Sequence, residues 1–261
     1  MPFTTSHTAL VFPLKRMFPR LFSLSGLMAG AMSPDLIYFF LVNTEFRNYS
    51  HTWAGLFYIC IPAGLIFCYI FHNYFKYQFI RHLPSPFDKF LSGLAVSKWP
   101  NQNWLIITLS VLIGALSHFG WDAITHPEGQ FVKWYPQLNE TVYLLGAERK
   151  ICRIIQHASS LIGGLVLIGY FIWGKIIPGR QSHMTQIDSK GKLKYWFMCI
   201  LFTAMFCLVV LIFYNQLYQW HIFSGHYLFF GFMTFALGSW AGAFWWAIIY
   251  GIWKKEPKFI Q

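Results

Sequence analysis

Six apolar stretches, each about as long as a helix that crosses a bilayer, divide this chain into membrane-sized pieces. A helix needs roughly 20 apolar residues to span the hydrocarbon core. The stretches lie near residues 21–42, 52–72, 104–125, 155–177, 195–214 and 227–253. Only 11% of the residues are charged, against about 25% in an ordinary soluble domain. The sequence therefore predicts an all-α, polytopic transmembrane helical bundle with about six spanning helices.

A short segment ahead of the first stretch, residues 5–17, is too short to span a bilayer alone. It favours a short helix that Pro13 kinks. If this helix packs as a hairpin against residues 21–42, His7 and Asp35 lie within about one helical turn of the same depth. We therefore predict an N-terminal helix that is either re-entrant or starts from the outer side.

The N-terminus also has the basic and apolar parts of a cleavable signal. The apolar run, however, continues past the small residues Ala29–Ala31 as far as Val42, and no polar mature sequence begins there. We therefore expect this segment to be retained as a helix.

The net charge of +11 is best explained by membrane topology rather than by nucleic-acid binding. Fifteen of the twenty lysine and arginine residues fall in four segments, 15–20, 72–103, 175–194 and 254–258. The positive-inside rule places these segments, and with them the C-terminus, in the cytoplasm. No RNA-binding motif occurs, so no nucleic-acid partner is expected.

One membrane domain accounts for the whole chain. Residues 1–177 carry the polar groups discussed below, 178–194 form a polar cytoplasmic linker, and 195–261 hold two closing helices with a basic tail. The five cysteines lie in or at the start of apolar stretches without a Cys-x-x-Cys motif, so buried free thiols are expected.

Three polar residues, His118, Asp122 and His126, follow one another at intervals of four near the end of the third stretch. A single helix would direct all three along one face. An aspartate facing lipid costs roughly 3 kcal/mol. Such a trio is therefore expected to face inward, toward polar partners or a metal ion.

The same topology places further candidate ligands on the outer side: His7 by depth, and Asp35, His51 and His157 by position. Histidine and aspartate are ligands of zinc and related divalent metals. We predict a shared metal site built from His7, Asp35, His51, His118 and Asp122. His126 and His157 are either second-sphere residues or alternative ligands. Interhelical hydrogen bonding by a His–Asp pair is the competing interpretation.

Several motifs resemble a bacterial membrane family defined by a domain of unknown function, family 4184. The matching segments are Pro2–Ala9, Gly30–Phe39, Tyr49–Gly55, Ser117–His126 and Gln156–Ser160. They cover most of residues 1–177. The resemblance implies a multi-pass protein of the bacterial inner, or plasma, membrane.

The order of these motifs is more distantly similar to inner-membrane metal-dependent hydrolases and to the zinc-dependent phospholipase C and nuclease group. That similarity implies ligand roles for His7, Asp35, His51, His118 and Asp122. Where the hydrolase pattern has a His-Arg-Gly…Thr-His-Ser segment, this chain supplies only His51. The number of metal ions therefore stays open.

The residues and the resemblance together predict a phosphoester-type hydrolase that uses a divalent metal, zinc in the first instance. Its partners would be the lipid bilayer and a lipid or lipid-linked substrate near the outer leaflet. Asp122 and His126 are the candidate catalytic groups, because either can accept a proton from water. Two alternatives stay open: a transporter with a proton or metal relay, and a non-catalytic protein whose His–Asp cluster locks helices.

Overall fold

The described residues are mainly helical in the computed structural model of this protein. The structure describes residues 4–41, 48–95, 99–100, 103–144, 146–172, 187–218, 246 and 249. The chain divides into two compact units, Met1–Cys68 with Pro100–Pro178 and Tyr69–Trp99 with Gly179–Gln261. Every candidate site residue predicted from the sequence belongs to the first unit.

The helical elements begin with a 3-10 segment and continue as nine α-helices in the described residues. The 3-10 segment is Thr4–Leu10. The helices are α1 Val11–Met17, α2 Leu24–Leu41, α3 Trp53–Arg81, α4 Phe87–Phe90, α5 Ser92–Ala95, α6 Trp104–Thr125, α7 Gln130–Trp134, α8 Ile151–Ile172 and α9 Ser189–Tyr218. A small antiparallel hairpin precedes α8, with β1 Thr141–Leu144 paired to β2 Ala147–Lys150.

Four segments of the described chain are long and apolar enough to cross a membrane. They are Trp53–Arg81, Trp104–Trp134, Ile151–Tyr170 and Ser189–Val209. The chain is therefore a helical membrane protein, as predicted. The stretch 21–42 corresponds to α2, which has 18 residues, and 227–253 lies outside the described residues except for 246 and 249. The count of about six spans stays a prediction.

Helix boundaries differ from the sequence expectation in two places. The second span continues as helix to Arg81, although a connector was expected from residue 72. The last described helix begins at Ser189, within the segment predicted as a linker. In both places charged residues continue the helix beyond the apolar stretch, where hydropathy alone no longer marks it.

Helix α6 has defined signals at both ends. The Asn103 side chain caps the start by accepting a hydrogen bond from the Leu105 amide, at 2.9 Å. At the other end His126 adopts an extended conformation, with φ −112° and ψ 141°. Pro127 explains this change, because a proline disfavours helical geometry in the residue before it. The helix therefore ends one turn after Asp122.

Helix α2 contains Pro34, which cannot donate the backbone hydrogen bond that Gly30 would accept. The Ser33 hydroxyl donates to the Gly30 carbonyl instead, at 2.8 Å. The Pro34 carbonyl in turn accepts a hydrogen bond from Ser50, at 2.7 Å. Side chains therefore satisfy backbone groups that would be costly in a membrane, and they do so next to Asp35.

Helices α2 and α6 pack closely through two glycines. A Cβ placed on Gly30 would lie 2.0 Å from the Val111 carbonyl oxygen, and one on Gly114 would lie 2.2 Å from that of Leu27. Small residues allow such backbone contact in membrane helices. Val11 and Ala31 are buried beside this crossing. The close approach sets the distance between α2 and α6.

The N-terminal arm, residues Thr4–Met17, is held by α8 as well as by α2. The Ser6 hydroxyl donates to the Ser160 carbonyl at 2.6 Å, and a Cβ on Gly163 would lie 2.8 Å from the Ser6 carbonyl oxygen. The predicted hairpin of the arm against the first stretch is therefore present. It brings Thr4 to Asp35 of α2 and His7 to His118 of α6.

The second unit has its own packed interior. Phe75, Tyr195 and Cys199 form a buried apolar cluster. An ion pair joins the buried Asp88 carboxylate to Lys192, whose side chain is 14% exposed. The described residues include all five cysteines, and none of them forms a disulfide bond. Four are buried, as predicted, whereas Cys207 is half-buried.

Candidate metal centre

His118 lies at the centre of the candidate site and is completely buried. Its Nδ1 is 2.8 Å from the Ala31 carbonyl oxygen. A carbonyl only accepts, so Nδ1 carries the proton and the neutral ring has its lone pair on Nε2. Nε2 lies 3.4 Å from Asp122 Oδ2 and 3.8 Å from Asp35 Oδ2. The Ala31 carbonyl thus orients the His118 ring so that its candidate ligand atom, Nε2, faces two carboxylates.

Asp35 approaches from α2, one residue after Pro34. Its carboxylate is completely buried and accepts a hydrogen bond from the Thr4 hydroxyl at Oδ2, at 2.8 Å. Oδ1 makes no hydrogen bond within the described part of the chain. The N-terminal arm therefore orients this carboxylate as well as supplying His7.

His51 precedes α3, and the Thr52 side chain caps the start of this helix by accepting a hydrogen bond from the Gly55 amide. The Ser50 hydroxyl donates to the Pro34 carbonyl, so its oxygen can accept from His51 Nδ1, 3.2 Å away. His51 Nε2 then faces Asp35 Oδ1 at 3.6 Å and Asp122 Oδ2 at 3.5 Å. This ring therefore repeats the arrangement of His118.

His7 stacks on the central histidine from the N-terminal arm. The ring centroids of His7 and His118 are 4.3 Å apart with an interplanar angle of 19°. The Trp121 ring also contacts His7, with ring centroids 5.3 Å apart. His7 Nδ1 is buried and makes no hydrogen bond among the residues that the structure describes. Helix rise alone predicted the depth of His7, and the structure places His7 beside His118 and Asp122.

Two groups in this cluster have the geometry to hold a metal ion. They are His7 with His118 and Asp122, and Asp35 with His51 and His118; within each group the ligand atoms lie within 4.8 Å of one another. Ligand atoms about 2.0–2.1 Å from a tetrahedral zinc ion are about 3.3–3.4 Å apart. The His–Asp separations of 3.4–3.8 Å given above are close to this edge length. The residues therefore fit a divalent cation.

One side of the cluster is closed and the other is partly open. The side chains of His118 and Asp35 are 0% and 1% exposed, whereas those of His51 and Asp122 are 20% and 12% exposed. Structural zinc sites are closed by four protein ligands, whereas catalytic sites keep one position open. Solvent therefore reaches the cluster from the side of His51 and Asp122.

Two further histidines were expected as second-sphere residues or alternative ligands. His126 lies beside the cluster, with Nδ1 3.3 Å from Asp122 Oδ1. His157 has an exposed side chain and takes no part in either candidate group of the described residues. Its neighbour Gln156 is buried instead and contacts His126 at 3.0 Å.

Sequence reasoning missed the residues that orient the candidate ligands. Thr4 and Gln156 are neither metal ligands nor acids, so a search for ligand types passes over them. A signal for Gln156 was present, because Cys152, Gln156, Ser160 and Gly163 form one small or polar face of α8 at helical spacing. For Thr4 no comparable periodic signal exists.

Comparison with known proteins identifies the chain only at the level of its family. Searches of curated proteins and of solved structures found no match. The model of one protein family, described as a domain of unknown function, matches residues 1–252. This match includes all five motifs on which the resemblance was based. The chain therefore belongs to the DUF4184 family.

Proposed function

We propose that this protein is a membrane-embedded, metal-dependent hydrolase that cleaves phosphoester bonds in a lipid or lipid-linked substrate. The observation that carries the proposal is the convergence of His118 Nε2 with the carboxylates of Asp35 and Asp122 at 3.4–3.8 Å. These three side chains come from two helices. Each has a defined orientation, and each offers a lone pair rather than a proton to the others.

The metal would be held by His118, Asp35 and Asp122, with His7 and His51 completing the ligand set. Imidazole nitrogens and carboxylate oxygens suit zinc and related divalent ions. Such a cation supplies Lewis-acid activation of water and of a phosphoryl oxygen. The buried ligands hold the site together, while the more exposed His51 and Asp122 border the side that a substrate can reach.

The chain also offers a group to take the proton from an attacking water. His126 was one candidate, but its Nε2 accepts from the Gln156 amide and its Nδ1 faces Asp122. Asp122 is the more exposed of the two carboxylates, with 12% of its side chain exposed against 1% for Asp35. Asp122 is therefore the proposed proton acceptor.

A negatively charged substrate fits the surroundings of the site. Arg149 and Lys150 end strand β2 directly before α8, and Arg153 lies in the first turn of α8. Arg153 contacts Gln156, which in turn contacts His126. Under the positive-inside topology these are three of only five basic residues on the outer side. Their concentration beside a membrane-embedded site favours a phosphorylated lipid headgroup as the substrate.

Metal analysis of the purified full-length protein is the first test. Wild-type protein loaded with zinc and then desalted should retain it in stoichiometric amount, while His118→Ala and Asp122→Asn should lose it. His157→Ala is the matched control, because His157 is a nearby exposed histidine outside the cluster. A folded wild-type protein that retains no metal would overturn the metal site and favour a structural His–Asp lock.

Hydrolysis by protein reconstituted in phospholipid vesicles is the second test. Zinc-dependent release of phosphorylated headgroups that Asp122→Asn abolishes would support the proposal. A protein that binds zinc stoichiometrically but cleaves no phosphoester lipid would refute the hydrolase assignment. Proton or metal flux across the same vesicles would then identify the cluster as a transport relay.

A further inference from the structure

A series of polar contacts runs from the start of α8, through Gln156 and His126, to Asp122 of the candidate metal centre. Arg153 donates from its guanidinium to Gln156 Oε1 at 2.7 Å. A guanidinium has only donors, so the amide oxygen of Gln156 must face Arg153. The amide nitrogen of Gln156 therefore faces His126 Nε2, at 3.0 Å. The orientation of this amide follows from chemistry, because the reverse would place two donors against each other.

The Gln156 amide determines the tautomer of His126. An amide nitrogen only donates, so His126 Nε2 accepts and the neutral ring carries its proton on Nδ1. Nδ1 lies 3.3 Å from Asp122 Oδ1 and 3.3 Å from Thr125 Oγ1. The Thr125 hydroxyl donates to the Trp121 carbonyl at 3.0 Å, so both neighbours of Nδ1 are acceptors. Arg153, Gln156 and His126 therefore each present a donor to the next group in the series, which ends at Asp122.

The backbone holds the His126 ring in this place. The extended conformation imposed before Pro127 takes His126 out of the helix, while its amide still donates to the Asp122 carbonyl at 3.1 Å. The side chain is buried, as is that of Gln156. His126 is therefore confined both by its backbone and by the amide on its far side.

We infer that Gln156 and His126 are positioning residues that orient the Asp122 carboxylate for metal binding. Gln156 selects the Nδ1–H tautomer of His126, and Nδ1–H directs Asp122 so that Oδ2 faces His118 and His51, 3.4 and 3.5 Å away. Outer-sphere partners of this kind change metal affinity by about 10–100-fold when they are removed. The inference rests on the proposed metal site and adds two residues that orient one of its ligands.

Zinc affinity of the full-length protein, measured in detergent by competition with a chromophoric chelator, tests this inference. We expect Gln156→Leu and His126→Leu each to weaken zinc binding about 10–100-fold. His126→Asn should restore most of the affinity, because the Asn amide nitrogen takes the place of Nδ1–H. The double variant Gln156→Leu/His126→Leu should bind zinc no more weakly than His126→Leu alone, because both residues act through the same contact with Asp122.

The neighbouring residue supplies a matched control. His157→Ala changes the adjacent exposed side chain and should leave zinc affinity unchanged. Gln156→Leu with wild-type affinity, or His126→Asn as weak as His126→Leu, would overturn the inference. A larger loss in His157→Ala than in Gln156→Leu would overturn it as well.

Failure of the metal site itself would be recognised separately. If wild-type protein binds no zinc, ¹⁵N NMR of histidine-labelled protein replaces the affinity measurement. A protonated Nδ1 on His126 that becomes unprotonated in Gln156→Leu would support the inference without any metal. The same tautomer in both proteins would refute it. If zinc binds but no lipid is hydrolysed, only the proposed reaction fails.

Discussion

The close crossing of α2 and α6 should couple helix packing to the metal centre, and Gly114→Ala tests this. A Cβ at position 114 would lie 2.2 Å from the Leu27 carbonyl oxygen and 2.8 Å from the Ala31 amide nitrogen. Carbon atoms in contact are ordinarily about 3.5 Å or more apart. Both neighbours are backbone atoms, so the helices must separate by about 1 Å rather than adjust a side chain.

This separation has a calculable consequence for His118. Its Nδ1 lies 2.8 Å from the Ala31 carbonyl oxygen, and a shift of about 1 Å takes this contact beyond hydrogen-bonding distance. Overpacking costs about 1–3 kcal/mol, and the lost hydrogen bond adds about 1 kcal/mol. We therefore expect Gly114→Ala to lower the free energy of unfolding by about 2–4 kcal/mol and to weaken zinc binding.

Gly120→Ala is the matched control, because Gly120 lies on the same helix and an added Cβ there meets nothing within 4 Å. Alanine is favoured over glycine within a helix by up to about 1 kcal/mol, so this variant should be as stable as wild type or slightly more so. Denaturant unfolding in detergent micelles and the chelator competition assay measure the two effects. Equal stability and zinc affinity in Gly114→Ala and Gly120→Ala would refute the reasoning.

Three further substitutions test separate parts of the structure. Ser110→Ala should destabilise the protein by about 1–3 kcal/mol in denaturant unfolding, because its buried hydroxyl accepts the Ser23 amide at 2.8 Å. Thr4→Val removes the hydrogen bond to Asp35 and should weaken zinc binding about tenfold in chelator competition with little change in stability. Asp88→Asn weakens the part-buried ion pair of the second unit; it should cost about 1–2 kcal/mol in the same unfolding assay and leave zinc affinity unchanged.

Hydropathy and charge predicted the broad architecture because the bilayer sets a length requirement that composition meets directly. Four of the predicted stretches correspond to long apolar helices. The ends of those helices were less predictable. The helix through Lys76 to Arg81 carries charges that a hydropathy pattern assigns to a connector, although both residues are buried.

The cluster was predictable wherever a single geometric rule applied. Helical periodicity places His118 and Asp122 on one face of α6, and their side chains contact each other at 3.4 Å. Helix rise alone places His7 and Asp35 at similar depth. These rules concern one helix or one hairpin, and they hold without knowledge of how different helices rotate against each other.

Those rules do not predict which face of α8 packs toward the cluster. Histidine is the stronger ligand type, so the sequence favours His157 over Gln156 as a site residue. The structure buries Gln156 and exposes His157, because α8 presents Ser160 and Gly163 to the N-terminal arm through a hydrogen bond and a close backbone contact. Residue type therefore indicated His157, whereas helix packing directs Gln156 toward His126.

The pattern of hydrogen bonds around the cluster argues against a purely structural lock. Atoms on the outer side of the cluster have partners at short range: His118 Nδ1 at 2.8 Å and Asp35 Oδ2 at 2.8 Å. Atoms that face inward, among them His118 Nε2 and Asp35 Oδ1, make no hydrogen bond within the described residues. A lock would gain most from hydrogen bonds among its own members, since buried polar atoms are costly without them. Lone pairs that are oriented toward one another and separated by 3.4–3.8 Å are instead what a cation-binding site requires.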